Sequence, residues 1–157
     1  MARAREVKLD CDEPFARAAA LVVGVRAVEV LEYARGVLDA GDPERVHDMR
    51  VATRRLRAAM EVFAPCFPRK RFRRALRQVK ALADALGARR DCDVEIEFLE
   101  RFAAEADPGD REAAAALVAR LRGEQARANE ALAPFVAEER LAELRRRLAK
   151  LVERAAV

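Results

Sequence analysis

Helix-breaking residues cut this chain into pieces that only helices fill. Gly41-Asp42-Pro43, Pro65-Cys66-Phe67-Pro68 and Asp107-Pro108-Gly109 are turn signals. Between them run long stretches of Ala, Leu, Arg and Glu, all residues that lose little on entering a helix. Alanine occurs 35 times among 157 residues, whereas the chain has one isoleucine and one threonine. A sheet has little to be built from. The spacing predicts a first helix from near Pro14 to about Ala40. A second runs from Pro43, with Asp42 as cap, to about Ala64. A third spans about Arg69 to Leu86, with Gly87 as its left-handed terminus. A fourth starts near Asp91 and ends near Ala106, its first turn carrying Asp91, Asp93, Glu95 and Glu97. A fifth covers about Asp110 to Ala133, and Pro134 starts a sixth that ends near Arg154. The expected fold is all-α, an antiparallel bundle of about six helices with short turns, in one domain over residues 1–157. Residues 1–12 are expected to be flexible or extended.

The same composition excludes several chemistries. Without serine there is no serine-nucleophile triad, and the lone histidine, His47, cannot form a multi-histidine metal centre. Cys11, Cys66 and Cys92 are odd in number and lack CxxC spacing, so they read as packing residues in a reducing compartment. The longest apolar run, Ala18 to Val25, is too short to span a bilayer, and the charged N-terminus lacks a signal-peptide core. A cytoplasmic protein that does not enter the membrane is expected.

Charge is where the sequence becomes specific. The formal net charge of +4 conceals a division along the chain. Residues 45–90 hold 14 basic and 3 acidic side chains, a net of +11, and the remainder carries −7. Of the 31 basic residues, 27 are arginines. A local excess of one sign on an otherwise acidic chain is the footprint of an anion-binding surface.

A helical wheel separates this excess from the core. On the second helix Met49, Ala52, Leu56, Ala59, Met60 and Phe63 form an apolar face. His47, Arg50, Arg54 and Arg57 share another, at spacings of three and four that stack side chains along a line. On the third helix Phe72, Leu76, Val79, Leu82, Ala83 and Leu86 are apolar, and Arg69, Arg73, Arg77 and Lys80 form the basic stripe. Antiparallel neighbours pack about 8–10 Å apart, so both stripes are expected to face one groove with few acidic neighbours. Guanidinium is planar, always charged and grips phosphate oxygens bidentately, and a row of them suits an anion that repeats.

Two segments resemble a known family. Val46-His47-Asp48-Met49-Arg50-Val51-Ala52-Thr53-Arg54-Arg55-Leu56-Arg57 looks like the signature of the CHAD domain, the conserved histidine α-helical domain. Lys80 through Val94, with Leu86-Gly87-Ala88-Arg89-Arg90-Asp91 at its centre, resembles the second motif of that family. The resemblance implies non-catalytic binding of inorganic polyphosphate, with no cofactor or metal. Carried onto matching positions, it implies binding by His47, Arg50, Arg54, Arg57, Lys80 and Arg90; Arg73 and Arg77 join from the wheel. It also implies association with polyphosphate granules and with CYTH triphosphate-tunnel enzymes. Full members are tandems of two bundles, each with its own motif, and a second copy of His-x-x-Arg is missing here. Pairing of two chains into a homodimer is therefore expected, with Arg145, Arg146 and Arg147 either at that interface or in a solvated final turn.

Two other readings remain open at this point. A nucleic-acid binder would use the same charge, but Phe63, Phe67 and Phe72, the aromatics of the region, lie at core spacing or in the turn. A phosphotransfer enzyme or metal-dependent phosphohydrolase would need a P-loop or paired carboxylates in the groove, and the sequence supplies neither there. Asp93 and Glu97, four residues apart, are its best cation candidates.

Overall fold

A computed structural model describes residues 3–155. Five α-helices follow one another: α1 (Phe15–Tyr33), α2 (Pro43–Val62), α3 (Arg69–Glu105), α4 (Pro108–Val136) and α5 (Glu138–Val152), with a 3₁₀ turn at Ala64–Cys66. No strand occurs among the described residues. The main core draws Val23 and Val30 from α1, Met49, Leu56 and Met60 from α2, and Val79, Leu82 and Leu86 from α3. Leu132 of α4 and Leu144, Leu148 and Leu151 of α5 complete it. Met49, Ala52, Leu56 and Met60 of the expected α2 face are buried, Ala59 and Phe63 are partly so, and Val46 and Thr53 join them. The buried Thr53 hydroxyl is satisfied by donating to the Met49 carbonyl at 2.8 Å.

The expected six helices are five because α3 does not stop at Gly87. Glycine costs a helix interior about 1 kcal/mol relative to alanine, too little to end one held on both sides. Gly87 adopts no left-handed conformation; among the described residues only Gly36 does, at φ 71°. The hold beyond Gly87 is a buried ion pair. Arg89 is 0% exposed and Asp93 4%, and Arg89 Nη1 donates to Asp93 Oδ1 one turn away. Arg89 Nε also donates to Asn129 Oδ1 at 3.3 Å, and Gln125 Nε2 donates to Asp93 Oδ1 at 2.7 Å. Asn129 Nδ2 reaches the Leu38 carbonyl at 2.8 Å. The acidic run at 91–97 is therefore helix interior, and Asp93 serves α3–α4 packing rather than a helix start.

Two other boundaries move, and one expected cap is not made. α1 ends at Tyr33 rather than near Ala40, and Gly36 makes the reversal. Its positive φ demands glycine, while the Arg45 guanidinium 2.8 Å from the position a Cβ would take is the end of a flexible side chain and could move aside. Asp42 precedes Pro43 as expected but makes no side-chain cap; its carboxylate accepts from Arg45 Nε at 2.9 Å. Pro134 lies inside α4, and the break falls at Ala137, which is extended at ψ 143°. Leu132, Phe135 and Val136 pack on the main core and carry the helix two residues past the proline.

A helix rises about 1.5 Å per residue, so α3, with 37 residues, is about 55 Å long and outreaches the 20-residue α2 by about 25 Å. Its second half and the first half of α4 form a two-helix arm around a small cluster of Ile96, Val118 and Leu121, with Leu99 against it. The N-terminal segment carries no helix or strand from residue 3 to 10, and it is strapped to α1. Arg5 pairs with Glu32 at 2.6 Å, and its backbone N–H donates to Glu29 Oε1 at 2.5 Å.

Removing one partner of a buried ion pair strands the other charge, at a cost of about 3–5 kcal/mol. Asp93→Ala should therefore lower the thermal unfolding midpoint sharply. Replacing Arg89 and Asp93 together by apolar residues of similar volume should cost far less. Thermal denaturation followed by circular dichroism separates the two outcomes.

Candidate anion-binding surface

The basic residues of α2 lie on its solvent side because Val46, Met49, Thr53, Leu56 and Met60 occupy the buried side. Arg50, Arg54 and Arg57, on successive turns, form one wall of a groove of about 430 Å³. The other wall is α3, through Ala83, Asp84, Gly87, Ala88 and Asp91. Gly87 keeps this wall low; a Cβ there would meet nothing within 4 Å.

The two basic stripes are brought together end to end rather than face to face. α2 and α3 run antiparallel, so Arg50 lies level with the 87–91 region of α3 and Glu61 level with Lys80. The α3 stripe continues at helical spacing as Arg73, Arg77, Lys80, Asp84, Gly87 and Asp91, turning from basic to acidic or small where it meets the α2 arginines. The cations therefore follow one another, with Arg50, Arg54 and Arg57 on α2 and then Lys80, Arg77 and Arg73 on α3. At 1.5 Å per residue the line from Arg50 to Arg73 extends about 25 Å. Arg54, Arg73 and Arg77 are exposed, and Arg50, Arg57 and Lys80 half-buried.

Glu61 sits at the junction. It accepts from Arg57 Nε at 3.1 Å and lies 3.4 Å from Lys80 Nζ. The Arg57 hydrogen bond, together with Lys80 and against partial burial, holds its carboxyl below the usual carboxylate range. Paired with both cations, it competes with any anion for them.

Of the sequence candidates only Arg50, Arg54 and Arg57 line the groove; Lys80, Arg77 and Arg73 lie farther along α3, and His47 and Arg90 also stand outside the lining. His47 is half-buried one turn before Arg50 on the same face of α2, and Arg90 is half-buried on α3. Asp91, expected to cap a helix or fix an arginine, is exposed in the groove wall. The aromatics of the region are engaged elsewhere. Phe67 stacks on Phe72 with centroids 6.3 Å apart, both buried, and Phe63 packs on Phe15 at 5.1 Å. None lines the groove.

Wheel reasoning missed a second basic cavity, because its residues come from helices far apart in sequence. Arg74 and Arg77 of α3 and Arg140 and Arg147 of α5 surround about 340 Å³, with Gln78, Ala81 and Phe135 also in the lining. Glu143 accepts from Arg140 Nη1 at 3.0 Å and from Arg147 Nη2. Partial burial pushes its carboxyl up, but these two arginines outweigh that and hold it below its ordinary value. Arg147 thus leaves its neighbours in sequence: Arg145 lines an apolar groove of about 410 Å³ between α1 and α5, and Arg146 is exposed.

Other chemistries find little support among the described residues. No group of three or more His, Cys, Asp or Glu could hold a metal ion, and no helix is long and apolar enough to cross a membrane. Cys11, Cys66 and Cys92 are all free thiols. Burial, followed by Glu124 and Glu95, raises the Cys92 thiol above its ordinary value, which disfavours the reactive thiolate.

Comparison with known proteins agrees with the two quoted motifs. The family model of the CHAD domain matches residues 25–157, nearly the whole chain. Among curated proteins and solved structures, none matches significantly.

Glu61→Gln should raise affinity for a long polyanion about two- to five-fold, the range set by one exposed ion pair. Titration calorimetry at low salt reads the change; unchanged affinity would place the anion away from the α2–α3 junction.

Proposed function

The chain belongs to the CHAD-domain family, and on that premise we propose that it binds inorganic polyphosphate without transforming it. The observation that carries this reading is the arginine wall of Arg50, Arg54 and Arg57, continued by Lys80, Arg77 and Arg73 on α3. A linear anion with a charge on every unit can meet such a line at several points at once. His47, one turn before Arg50 on α2, and Arg90, which the family resemblance adds from the α3 stretch level with Arg50, would be reached by a longer chain. Phosphate oxygens need only N–H donors and charge, which arginine supplies without a metal or cofactor. The partners that follow are a polyphosphate granule and a CYTH-type triphosphatase, in the cytoplasm.

Nucleic acid fits less well. Single strands are held by stacking on exposed aromatic side chains, and Phe63, Phe67 and Phe72 are committed to packing. Phosphoryl transfer fits less well again, since the groove carboxylates Asp84 and Asp91 face arginines and no three-ligand metal cluster is near.

The test is a double substitution with controls. Arg50→Ala with Arg54→Ala should weaken polyphosphate binding at least ten-fold while leaving helicity unchanged. Wild-type affinity should fall steeply with salt, as counterion release requires. Duplex DNA should compete poorly at equal phosphate concentration, and Mg²⁺ should release no phosphate from labelled polyphosphate. Full affinity in the double variant would overturn the α2–α3 assignment.

Pairing of two chains belongs to the same reading and has its own support. Val94, Phe98 and Phe102 lie four residues apart on α3 and are 48%, 60% and 48% exposed. They form an apolar stripe on the outside of the two-helix arm, whose inner cluster is small. Two such arms packed together make four helices around one apolar seam. Sedimentation or light scattering should give the mass of a dimer, and Phe98→Glu, a change at a solvent-facing position, should give a monomer of unchanged helicity.

A further inference from the structure

The cavity between α3 and α5 contains a feature that packing alone leaves unexplained. Both polar atoms of the Gln78 side chain, Nε2 and Oε1, are buried without a hydrogen-bond partner. Buried amides are nearly always paired, and this one lies just behind the cavity wall, where a small side-chain movement would bring it to an occupant of the cavity. Around it stand Arg74 and Arg77 from one helix and Arg140 and Arg147 from another. No carboxylate lines this cavity, in contrast to the α2–α3 groove, where Asp84 and Asp91 offset the arginines. The one acidic neighbour, Glu143, forks between Arg140 and Arg147. A guanidinium has five donors, so each of these two arginines retains others after meeting Glu143. The carboxylate therefore orients two cations without exhausting them.

We propose that Arg74, Arg77, Gln78, Arg140 and Arg147 form a second oxyanion site, selective for a single phosphate group. The volume of about 340 Å³ exceeds a tetrahedral oxyanion and its bound water, and does not extend as the α2–α3 track does. Guanidiniums from opposite sides grip separate oxygens of a tetrahedral anion, and the Gln78 amide donates from below. Ala81 and Phe135 give the floor an apolar character, which strengthens charge-assisted hydrogen bonds by keeping water away. The phosphate group has two sources with the same chemistry: free orthophosphate, or one residue of a polyphosphate chain. The site shares only Arg77 with the α2–α3 track and does not depend on that track binding anything.

Calorimetric titration of the full chain with orthophosphate, and separately with long-chain polyphosphate, tests the site. Arg140→Ala with Arg147→Ala should weaken binding at least ten-fold for one or both probes. Loss with orthophosphate identifies free phosphate as a ligand; loss with polyphosphate alone identifies a residue of the chain. Arg50→Ala with Arg54→Ala should leave orthophosphate binding within two-fold, so the two surfaces fail independently. Gln78→Leu supplies the control for a merely structural role. It removes an unpaired buried amide and should keep or raise the melting temperature, yet weaken the anion two- to five-fold. Wild-type affinity for both probes in the Arg140/Arg147 variant, or unchanged binding in a stable Gln78→Leu protein, would overturn the proposal.

Discussion

A guanidinium withdrawn from water in the middle of a helix has to be surrounded, and much of this structure follows from how Arg89 is surrounded. Desolvating a charge costs several kcal/mol, recovered only when an opposite charge and further hydrogen bonds stand close by. Asp93 one turn on, with Asn129 and Gln125 from α4, meets most of that need, and Arg89 Nη2 and Asp93 Oδ2 are left without a hydrogen-bond partner among the described residues. Each contact also fixes geometry. The Arg89–Asp93 pair requires unbroken helix across that turn, which carries α3 past Gly87. The α4 amides set the register of the α3–α4 hairpin, since a slip of one residue would turn them away. Asn129 extends the network to the Leu38 carbonyl, anchoring the connection between α1 and α2. The charged centre thus links three parts of the chain.

The fold was legible wherever its signals are local. Gly-Asp-Pro at 41–43, the two prolines at 65 and 68, and Asp-Pro-Gly at 107–109 all end or start helices in the structure, because they act through their own backbone torsions. The apolar faces of α2 and α3 were legible because 3.6-residue periodicity is a property of the helix alone. Gly87 and Pro134 misled for one shared reason: both are breakers by propensity, and both lie where tertiary contacts outweigh about 1–3 kcal/mol. Gly36 is the converse case. It reads as an isolated glycine in a helical stretch, and its positive φ belongs to the reversal between α1 and α2, which only the packing of those helices sets.

The anion-binding surface divides in the same way. Arg50, Arg54 and Arg57 could be grouped from the sequence because three residues on one helix share a face by arithmetic. How the α3 stripe meets them could not, because it depends on the axial offset between two antiparallel helices. That offset places Asp84 and Asp91 opposite the α2 arginines and moves Arg73 and Arg77 farther along. The second cavity was out of reach altogether. Arg74 and Arg147 are separated by 73 positions, and only the packing of α5 beside α3 makes them neighbours.

The distribution of charge has a consequence for stability as well as recognition. Like charges on successive helical turns repel, by a few tenths of a kcal/mol per pair. The α2 wall, the α3 stripe and the second cavity concentrate that repulsion on one part of a chain whose remaining residues are net acidic. Glu61 and Glu143 act as internal counter-ions: each bridges two cations, each is held ionised by them, and each leaves donors on its arginines unused. A bound polyanion would replace these two carboxylates with a denser and longer counter-charge. Because only the folded helices align the arginines, such binding adds directly to folding stability, by RT ln(1 + [L]/Kd) for a single site. On the proposed reading, the surface that weakens the free protein would then be the one through which a bound anion stabilises it.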